Sequence, residues 1–307
     1  MSSAQQAPRI ALVTSRLRVE EKLLIGALEQ RGASFERVDD SALVLAASGP
    51  EARSAYPWDV VWNRSLSFGR TLYGTQILEA AGVRCVNSGQ VVETCGDKLR
   101  TSLALASAGV PTPRTLAAFT PESALEACEQ LGWPVVLKPV VGSWGRLVAR
   151  LDGPSAAEAV LEHRAQLGSW QQQVYYVQEY VEKPGRDVRA FVVGDECVAA
   201  IWRYSDHWIT NTARGGRVEN CPVSGEVGAL ALAAARAVGG GLLAVDLLET
   251  PDGMTVLEVN HSGEFRNSVA PTGVDLPGVM ADWVIAQLDP SAPEAADSGT
   301  SAREVLA

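Results

Sequence analysis

Three oxygen-bearing side chains lie in two neighbouring apolar segments toward the carboxyl end of the chain. Asp246 lies in the first segment, and Glu258 and Asn260 lie in the second. Alternate residues of a strand share a face, so Glu258 and Asn260 point the same way, and a hairpin brings Asp246 beside them. Carboxylate and amide oxygens suit Mg²⁺, especially Mg²⁺ that is shared with nucleotide phosphates. The alternative is an ordinary hairpin with exposed polar residues.

A lysine at the end of a predicted strand leads into a loop with two glycines. Lys138 ends the strand predicted at residues 134–138, and Gly142 and Gly145 follow it. Glycines let a backbone approach phosphate and present N–H groups to it, and a lysine adds a positive charge. The segment lacks the Gly-Lys-Ser/Thr sequence of a P-loop. A hairpin turn with a surface lysine fits the same residues.

Further polar segments lie between that loop and the acidic pair of strands. Residues 178–181 end a predicted strand, whose backbone can present polar groups to an adenine edge, and nearby acids can accept a ribose hydroxyl. Arg203 lies on a predicted strand, and residues 211–216 form a polar loop. Arginine and asparagine suit contacts with phosphate beside a metal. Taken singly, each segment also fits a solvated charged loop or a hairpin rim.

The elements that must position these residues form three predicted units. Up to about residue 90, strands alternate with helices, which predicts a small parallel α/β unit without the glycine pattern of dinucleotide sites. A second unit follows, in which residues 155–158 predict a capping box at the start of a helix. The third unit is antiparallel, with a hairpin turn predicted at Gly194-Asp195. Residues after Leu288 are predicted to be disordered.

The bulk properties of the chain exclude several function classes. Its 307 residues carry a formal net charge of −10, and an acidic chain is a poor general binder of nucleic acid. The five cysteines are spread without metal-ligand spacing, which indicates reduced thiols. The sequence shows neither a signal peptide nor a run of 18 apolar residues. We therefore expect a cytoplasmic protein with no membrane partner.

The order of these features resembles the ATP-grasp superfamily over roughly residues 9–288. The likeness is strongest to the branch of the ribosomal-protein glutamate ligase RimK and the lysine-biosynthesis ligase LysX, an α-aminoadipate–LysW ligase. Residues 258–269 look most like LysX, although Ser262-Gly263 stands where a bulkier pair is expected. The features that carry the resemblance are, in order, Lys98, Lys138 with its glycine loop, residues 178–181, Arg203, Asn211, Asp246, Glu258 and Asn260.

The resemblance implies a mixed α/β fold with an N-terminal Rossmann-like pre-ATP-grasp subdomain. The implied units are residues 1–92 for that subdomain, 93–180 for a central lobe with the glycine flap, and 181–288 for a C-terminal lobe with the Mg²⁺ site. Residues 289–307 would form a disordered tail. The branch also implies a homo-oligomer.

The resemblance further implies a role for each site residue. ATP would be bound by Lys98, Lys138, the flap residues Gly142, Ser143, Trp144, Gly145, Arg146 and Leu147, the adenine segment Gln178, Glu179, Tyr180 and Val181, and the polar residues Asp187, Arg189, Arg203 and Asn211. Asp246, Glu258 and Asn260 would hold Mg²⁺, as two ions bridged by Glu258. Lys138 and Arg214 would be catalytic, with Arg214 steadying the oxyanion or the leaving phosphate.

The reaction implied is the joining of a carboxylate to an amine through an acyl phosphate. For a LysX-type enzyme, the carboxylate is the side chain of the C-terminal glutamate of the small acidic carrier LysW, and the amine belongs to α-aminoadipate. The carboxylates of that amino acid need polar partners, for which Arg64, Arg266 and Asn267 are candidates by residue type; a structural salt bridge is the alternative for Arg64. Two sister activities remain open: glutamate addition to the carrier, as in arginine biosynthesis, and glutamate addition to a ribosomal protein.

Overall fold

A four-stranded parallel sheet forms the N-terminal unit in a computed structural model that describes residues 9–53, 56–143, 145–166, 170–210, 216–223 and 225–292. The strands lie in the order β2-β1-β3-β4. Every residue of β1 and β3 is buried, as expected for central strands that are covered on both faces. The unit contains β1 (Ile10–Thr14), α1 (Val19–Gln30), β2 (Phe35–Asp39), β3 (Val60–Arg64), α2 (Phe68–Ala80) and β4 (Arg84–Val86). The predicted parallel α/β unit is confirmed.

A four-stranded antiparallel sheet in the order β5-β8-β6-β7 forms the central unit. Its helix α6 begins at Pro154 after Gly153, so Ser155 lies inside the first turn and the predicted capping box is wrong. Proline suits the first helical position because its missing N–H has no partner there. The elements of this region are α3 (Gly89–Gly96), α4 (Lys98–Ser107), β5 (Thr115–Ala118), α5 (Pro121–Leu131), β6 (Val135–Lys138), β7 (Ala149–Leu151), α6 (Pro154–Ala165) and β8 (Tyr175–Glu179).

The third unit is an antiparallel sheet in the order β11-β10-β9-β12-β13. The predicted hairpin turn is present, since Gly194 has a φ of 58° and Val193 pairs with Glu196. The elements are β9 (Arg186–Val193), β10 (Glu196–Tyr204), β11 (Arg217–Cys221), α7 (Glu226–Ala237), β12 (Leu242–Thr250), β13 (Gly253–Asn260), α8 (Arg266–Thr272) and α9 (Leu276–Ala286).

The first and third sheets share one hydrophobic core, while the central sheet has its own. Leu12 and Trp62 of the first sheet pack in the same cluster as Phe191 of β9 and Met280 of α9. The central sheet packs separately around residues such as Tyr175. This division leaves the central sheet as a lobe that faces the third sheet across a cleft. The mixed α/β fold with an N-terminal parallel subdomain is therefore confirmed.

Three further expectations concern the whole chain. All five cysteines are buried and free. None of the described helices is long and apolar enough to cross a membrane. Of the predicted tail, residues 289–292 are described, and Arg84 donates hydrogen bonds to the carbonyl oxygens of Asp289 and Pro290. The rest of the tail lies outside the described residues.

Candidate active site

A cleft separates the central sheet from the third sheet and contains most of the predicted site residues. Three predicted residues, Trp144, Asn211 and Arg214, lie outside the part of the chain that the structure describes. The predicted residues that line the cleft are Lys98, Lys138, Gly142, Ser143, Gly145, Arg146, Gln178, Glu179, Tyr180, Val181, Asp187, Arg189, Arg203, Asp246, Glu258 and Asn260.

The register of β12 against β13 brings the three predicted metal ligands together. Asp246 pairs with Glu258, and Ala244 pairs with Asn260. Because Asn260 is two residues beyond Glu258 on the same strand, the three polar side chains share the face of the hairpin that lines the cleft. The paired carboxylates and amide predicted from the sequence therefore converge at one place.

Two arginines neutralise the buried carboxylate of Asp246. Arg189 donates from Nε and Nη2 to its two oxygens, each at 2.8 Å, and Nη2 of Arg203 lies 3.2 Å from Oδ2. Burial acts to raise the pKa of Asp246, but the attraction of Arg189 and Arg203 exceeds that effect and holds the pKa at about 2. Asp246 is therefore ionised at neutral pH, as a metal ligand must be.

The donor set fits a hard divalent cation such as Mg²⁺. Glu258 is partly exposed to the cleft, and Asp246 lies beside it. The buried side-chain nitrogen of Asn260 has no hydrogen-bond partner among the described residues, so this amide is free to turn its oxygen toward a cation. Two carboxylates and one amide supply oxygens of the kind that Mg²⁺ prefers, and Mg²⁺ completes its shell with phosphate oxygens and water.

Lys138 lies partly buried on the opposite wall of the cleft. Its Nζ donates to Oε1 of Gln178 at 2.5 Å, and the side-chain nitrogen of Gln178 donates in turn to the hydroxyl oxygen of Tyr176 at 2.9 Å. Burial lowers the pKa of Lys138 to about 8; Glu258 opposes this change, and Lys98 adds to it. Lys138 is thus a positioned cation that gains from a phosphate partner.

Lys98 connects the glycine loop with the carboxylate of Glu258. Its Nζ donates to the carbonyl oxygen of Gly142 at 2.7 Å and lies 3.2 Å from Oε1 of Glu258. Gly145 has a φ of 66° and Leu147 a φ of 57°, a region in which side chains other than glycine are disfavoured. Gly142, Ser143, Gly145 and Arg146 of this loop line the cleft beside the two lysines, whereas Leu147 is not among the lining residues.

The predicted adenine segment ends β8 beside an aromatic wall. The ring of Tyr180 meets that of Trp208 edge to face at 6.2 Å between centroids, and both residues line the cleft. The backbone N–H groups of Glu179 and Tyr180 already donate to the carbonyl oxygens of Arg114 and Pro134, and the side chain of Gln178 accepts from Lys138. Adenine contact by residues 178–181 stays a prediction, with the aromatic wall as its apolar support.

A buried polar network at the floor of the cleft contains residues that sequence reasoning missed. Asp187 accepts from Nε of Arg203 at 2.7 Å and from the hydroxyl of Thr210. Lys183 donates to the hydroxyl oxygen of Thr210 at 2.6 Å and lies 3.6 Å from Asp187. Lys183 follows β8 in a connector without periodicity, so its only sequence signal was its place between two predicted site segments.

The three predicted substrate residues lie away from this cleft. Arg64 is buried at the end of β3, with Nη2 3.5 Å from Oε1 of Glu21. Arg266 is half exposed at the start of α8, 3.8 Å from Glu20, and Asn267 is exposed beside it. Their contact with a substrate stays a prediction.

Comparison with known families agrees with this geometry. A model of the LysX preATP-grasp domain matches residues 10–94, and a model of the RimK-like ATP-grasp domain matches residues 95–284. The chain belongs to the RimK-like ATP-grasp family. As a member of that family it is an ATP-dependent carboxylate–amine ligase, and its cleft combines two lysines on one wall with a cluster of side-chain oxygens on the other.

Individual relatives of this RimK-like chain are similar over most of its length. It is 33% identical over 279 residues to the glutamate–LysW ligase ArgX of Sulfurisphaera tokodaii, which covers 90% of this chain and 98% of the relative. It is 36% identical over 232 residues to the α-aminoadipate–LysW ligase LysX of Saccharolobus solfataricus, covering 74% and 84%. A RimK-domain ATP-grasp protein from Sphaerobacter thermophilus superposes with a TM-score of 0.74 at 29% identity, covering 90% and 99%.

Proposed function

We propose that this ligase attaches α-aminoadipate to a small acidic carrier protein of the LysW type. The amide would join the amino group of α-aminoadipate to the side-chain carboxylate of the carrier's C-terminal glutamate. Relatives named LysX and ArgX, each at 33–36% identity, support a LysW-type carrier as the partner. The proposal places the enzyme in lysine biosynthesis.

The observation that carries the proposal is the convergence of two kinds of group in one cleft. Lys98 and Lys138 provide cations, while Asp246, Glu258 and Asn260 provide oxygens on the facing hairpin. The phosphate oxygens of ATP can bind the two lysines and Mg²⁺ at the same time. Mg-ATP would therefore contact the lysines on one wall and, through Mg²⁺, the oxygen ligands on the other. The base would lie against Tyr180, with Asp187 toward the ribose. We expect two Mg²⁺ ions, with Glu258 between them.

The chain's own residues have positioning and electrostatic roles in the reaction. Phosphoryl transfer from ATP to the carrier carboxylate gives an acyl phosphate and ADP; attack by the amine then forms the amide and releases phosphate. Lys98 and Lys138 hold the phosphates in line, and the glycine loop excludes water. Bound Mg²⁺ would supply charge neutralisation. Arg203 at the cleft floor, and Asn211 after it in the sequence, would contact the phosphates. Arg214 would stabilise the oxyanion or the leaving phosphate.

Glutamate is the second candidate for the amine substrate. The ArgX relative, which is named as a glutamate ligase, matches 90% of this chain, a longer stretch than the LysX relative matches. Both amino acids carry two carboxylates, and Arg64, Arg266 and Asn267 are the residues we propose for them. Ser262-Gly263 lies between Asn260 and Arg266 in the sequence and lines the cleft, so this short pair is where the two specificities would differ.

The experiment is phosphate release from purified enzyme with Mg-ATP, a LysW-type carrier and one amino acid at a time. We expect release that requires the carrier and is fastest with α-aminoadipate. Faster release with glutamate would show that glutamate, not α-aminoadipate, is the amine substrate. If neither amino acid gives carrier-dependent release, a LysW-type carrier is not the partner. Light scattering of the same sample tests the homo-oligomer that we expect of this branch.

A further inference from the structure

Asn87 joins the N-terminal unit to the hairpin that carries the proposed metal ligands. It directly follows β4 and is only 5% exposed. Its Nδ2 donates to the carbonyl oxygens of Leu242 and His261, each at 2.8 Å, and its Oδ1 accepts from the N–H of Leu242 at 2.7 Å. One side chain therefore bonds both the first residue of β12 and the residue that follows β13.

These hydrogen bonds lie where the pairing of β12 with β13 ends. The last pair of that ladder is Ala244 with Asn260, so Leu242 and His261 lie beyond it. Backbone N–H and C=O groups that leave a ladder need other partners, and Asn87 supplies three of them. The side chain thus fixes the backbone immediately after Asn260.

Two glycines leave room for this close packing. A Cβ on Gly241, whose φ is 102°, would overlap Oδ1 of Asn87. A Cβ on Gly263 would lie 2.5 Å from the Cβ of Ala244, so this part of the chain lies directly against β12. Neither position accommodates a side chain without movement of its neighbours. The loop after β13 is therefore held by Asn87 and packed against β12.

The segment held in this way forms the metal end of the cleft. Asn260, Ser262, Gly263 and Glu264 all line the cleft, whereas Asn87 does not. The buried side-chain nitrogen of Asn260 has no hydrogen-bond partner among the described residues, so the backbone is what places this side chain. Asn87 holds that backbone one residue further along the chain.

We propose that Asn87 is a positioning residue for the metal end of the cleft, because its hydrogen bonds fix the backbone that carries Asn260. The inference rests on the metal site of the proposed function and adds to it a residue of the N-terminal unit. Groups that orient a metal ligand without touching the metal change metal affinity by about 10- to 100-fold when they are removed. Asn87 thus contributes to cation binding from outside the cleft.

The test measures Mn²⁺ binding to the full chain in the presence of ADP by electron paramagnetic resonance, without carrier or amino acid. Mn²⁺ accepts the same oxygen ligands as Mg²⁺. Asn87→Ala removes all three hydrogen bonds, and Asn87→Asp keeps the shape of the side chain but loses the two that Nδ2 donates. We expect each substitution to weaken Mn²⁺ binding about 10- to 100-fold. Amide exchange in peptides that cover residues 258–265 should become faster, and binding of ADP without metal should be unchanged.

Asn63→Ala is the matched control for the loss of a buried asparagine. Asn63 is 6% exposed and also has three hydrogen bonds, but its partners Ser65, Thr71 and Thr75 all lie within the N-terminal unit. Its loss should leave Mn²⁺ binding within about twofold of the wild type, because the site is not among its contacts. Mn²⁺ binding that is as tight in the Asn87 variants as in Asn63→Ala would overturn the inference.

Gly241→Ala tests the same contact from the other side, should the Asn87 variants fail to fold. Its Cβ would displace the side chain of Asn87, so Mn²⁺ binding should weaken here as well, and unchanged binding would overturn the inference. A wild type that binds no Mn²⁺ with ADP would contradict the proposed metal site and this role with it. That result is distinct from failure of the Asn87 role alone, in which the wild type and all variants bind Mn²⁺ equally.

Discussion

Asp246 and Glu258 lie directly opposite each other on the antiparallel strands β12 and β13. The ladder shifts register immediately after this pair, between Asp246 and Leu247. A bulge at this point sets the direction of the side chains beside it. The proposed metal site therefore depends on the register of one hairpin and on the two arginines that hold Asp246.

Asp246→Asn should lower turnover by about 100-fold or more, equivalent to about 3 kcal/mol of transition-state stabilisation. The amide keeps the shape of the side chain but removes the negative charge that Mg²⁺ needs. It also leaves Arg189 and Arg203 without their shared counter-charge, which should lower the free energy of unfolding by about 3 kcal/mol. Steady-state kinetics and urea unfolding measure the two effects.

Asp252→Asn is the matched control, because Asp252 lies in the exposed turn of the same hairpin. It should leave both turnover and stability close to those of the wild type. Near-normal turnover in Asp246→Asn at saturating Mg²⁺ would rule out Asp246 as a metal ligand.

The kcat/KM of the enzyme for ATP should fall as pH rises through about 8. Loss of solvation in the cleft wall lowers the pKa of Lys138 to about 8, so Lys138 is a cation below that pH and neutral above it. A neutral lysine loses its attraction for phosphate, and kcat/KM for ATP, which reports the free enzyme, should fall about tenfold from pH 7 to pH 9. A pH series with saturating carrier and amino acid measures this.

Lys138→Arg should abolish this fall in kcat/KM between pH 7 and pH 9, because arginine stays charged throughout that range. The exposed Lys22→Arg is the control and should keep the wild-type profile. A fall in kcat/KM of the same size in Lys138→Arg would assign the titration to another group.

Arg203→Met should destabilise the fold much more than a matched substitution on the next strand. Arg203 is buried and joins Asp187, at 2.7 Å, to Asp246, at 3.2 Å, so its loss leaves two buried carboxylates with fewer cations. We expect a loss of about 3 kcal/mol in the free energy of unfolding. Arg217→Met removes an exposed cation of β11 and should change it by less than about 0.5 kcal/mol. Equal effects in urea unfolding would contradict a structural role for the buried network.

Lys98→Met should loosen the glycine loop before any nucleotide is bound. The lysine donates to the carbonyl oxygen of Gly142, and the substitution removes that tie. Amide hydrogen exchange in peptides that cover residues 141–148 should be faster in Lys98→Met than in the wild type, and Mg-ATP should slow it in the wild type. Helix α5 is the internal reference. Loop exchange that responds neither to the substitution nor to Mg-ATP would contradict the flap.

The parts of the site that the sequence predicted share a short-range signal. Alternation along a strand placed Glu258 and Asn260 on one face, and the hairpin brought Asp246 opposite Glu258. Gly194-Asp195 likewise predicted its hairpin correctly, since the turn needs a positive φ that glycine adopts easily. Such features depend on residues within one hairpin and need no knowledge of other strands.

The parts that were missed depend on contacts between distant segments. Arg189 reaches Asp246 because β9 lies beside β12, a pairing across more than fifty residues that no periodicity encodes. The role of Gln178 as a partner of Lys138 likewise follows from the pairing of β6 with β8. At the start of α6, the capping box predicted at residues 155–158 competes with a proline that suits the first helical position. The helix begins at Pro154, one residue before that box.

The most direct test of the central claim is mass spectrometry of a LysW-type carrier after incubation with the enzyme, Mg-ATP and α-aminoadipate. We expect a carrier heavier by one α-aminoadipate less one water, with fragmentation placing the addition on the C-terminal glutamate side chain. The addition should be absent without ATP. Consumption of ATP with the carrier mass unchanged, for both α-aminoadipate and glutamate, would contradict ligation of an amino acid to the carrier.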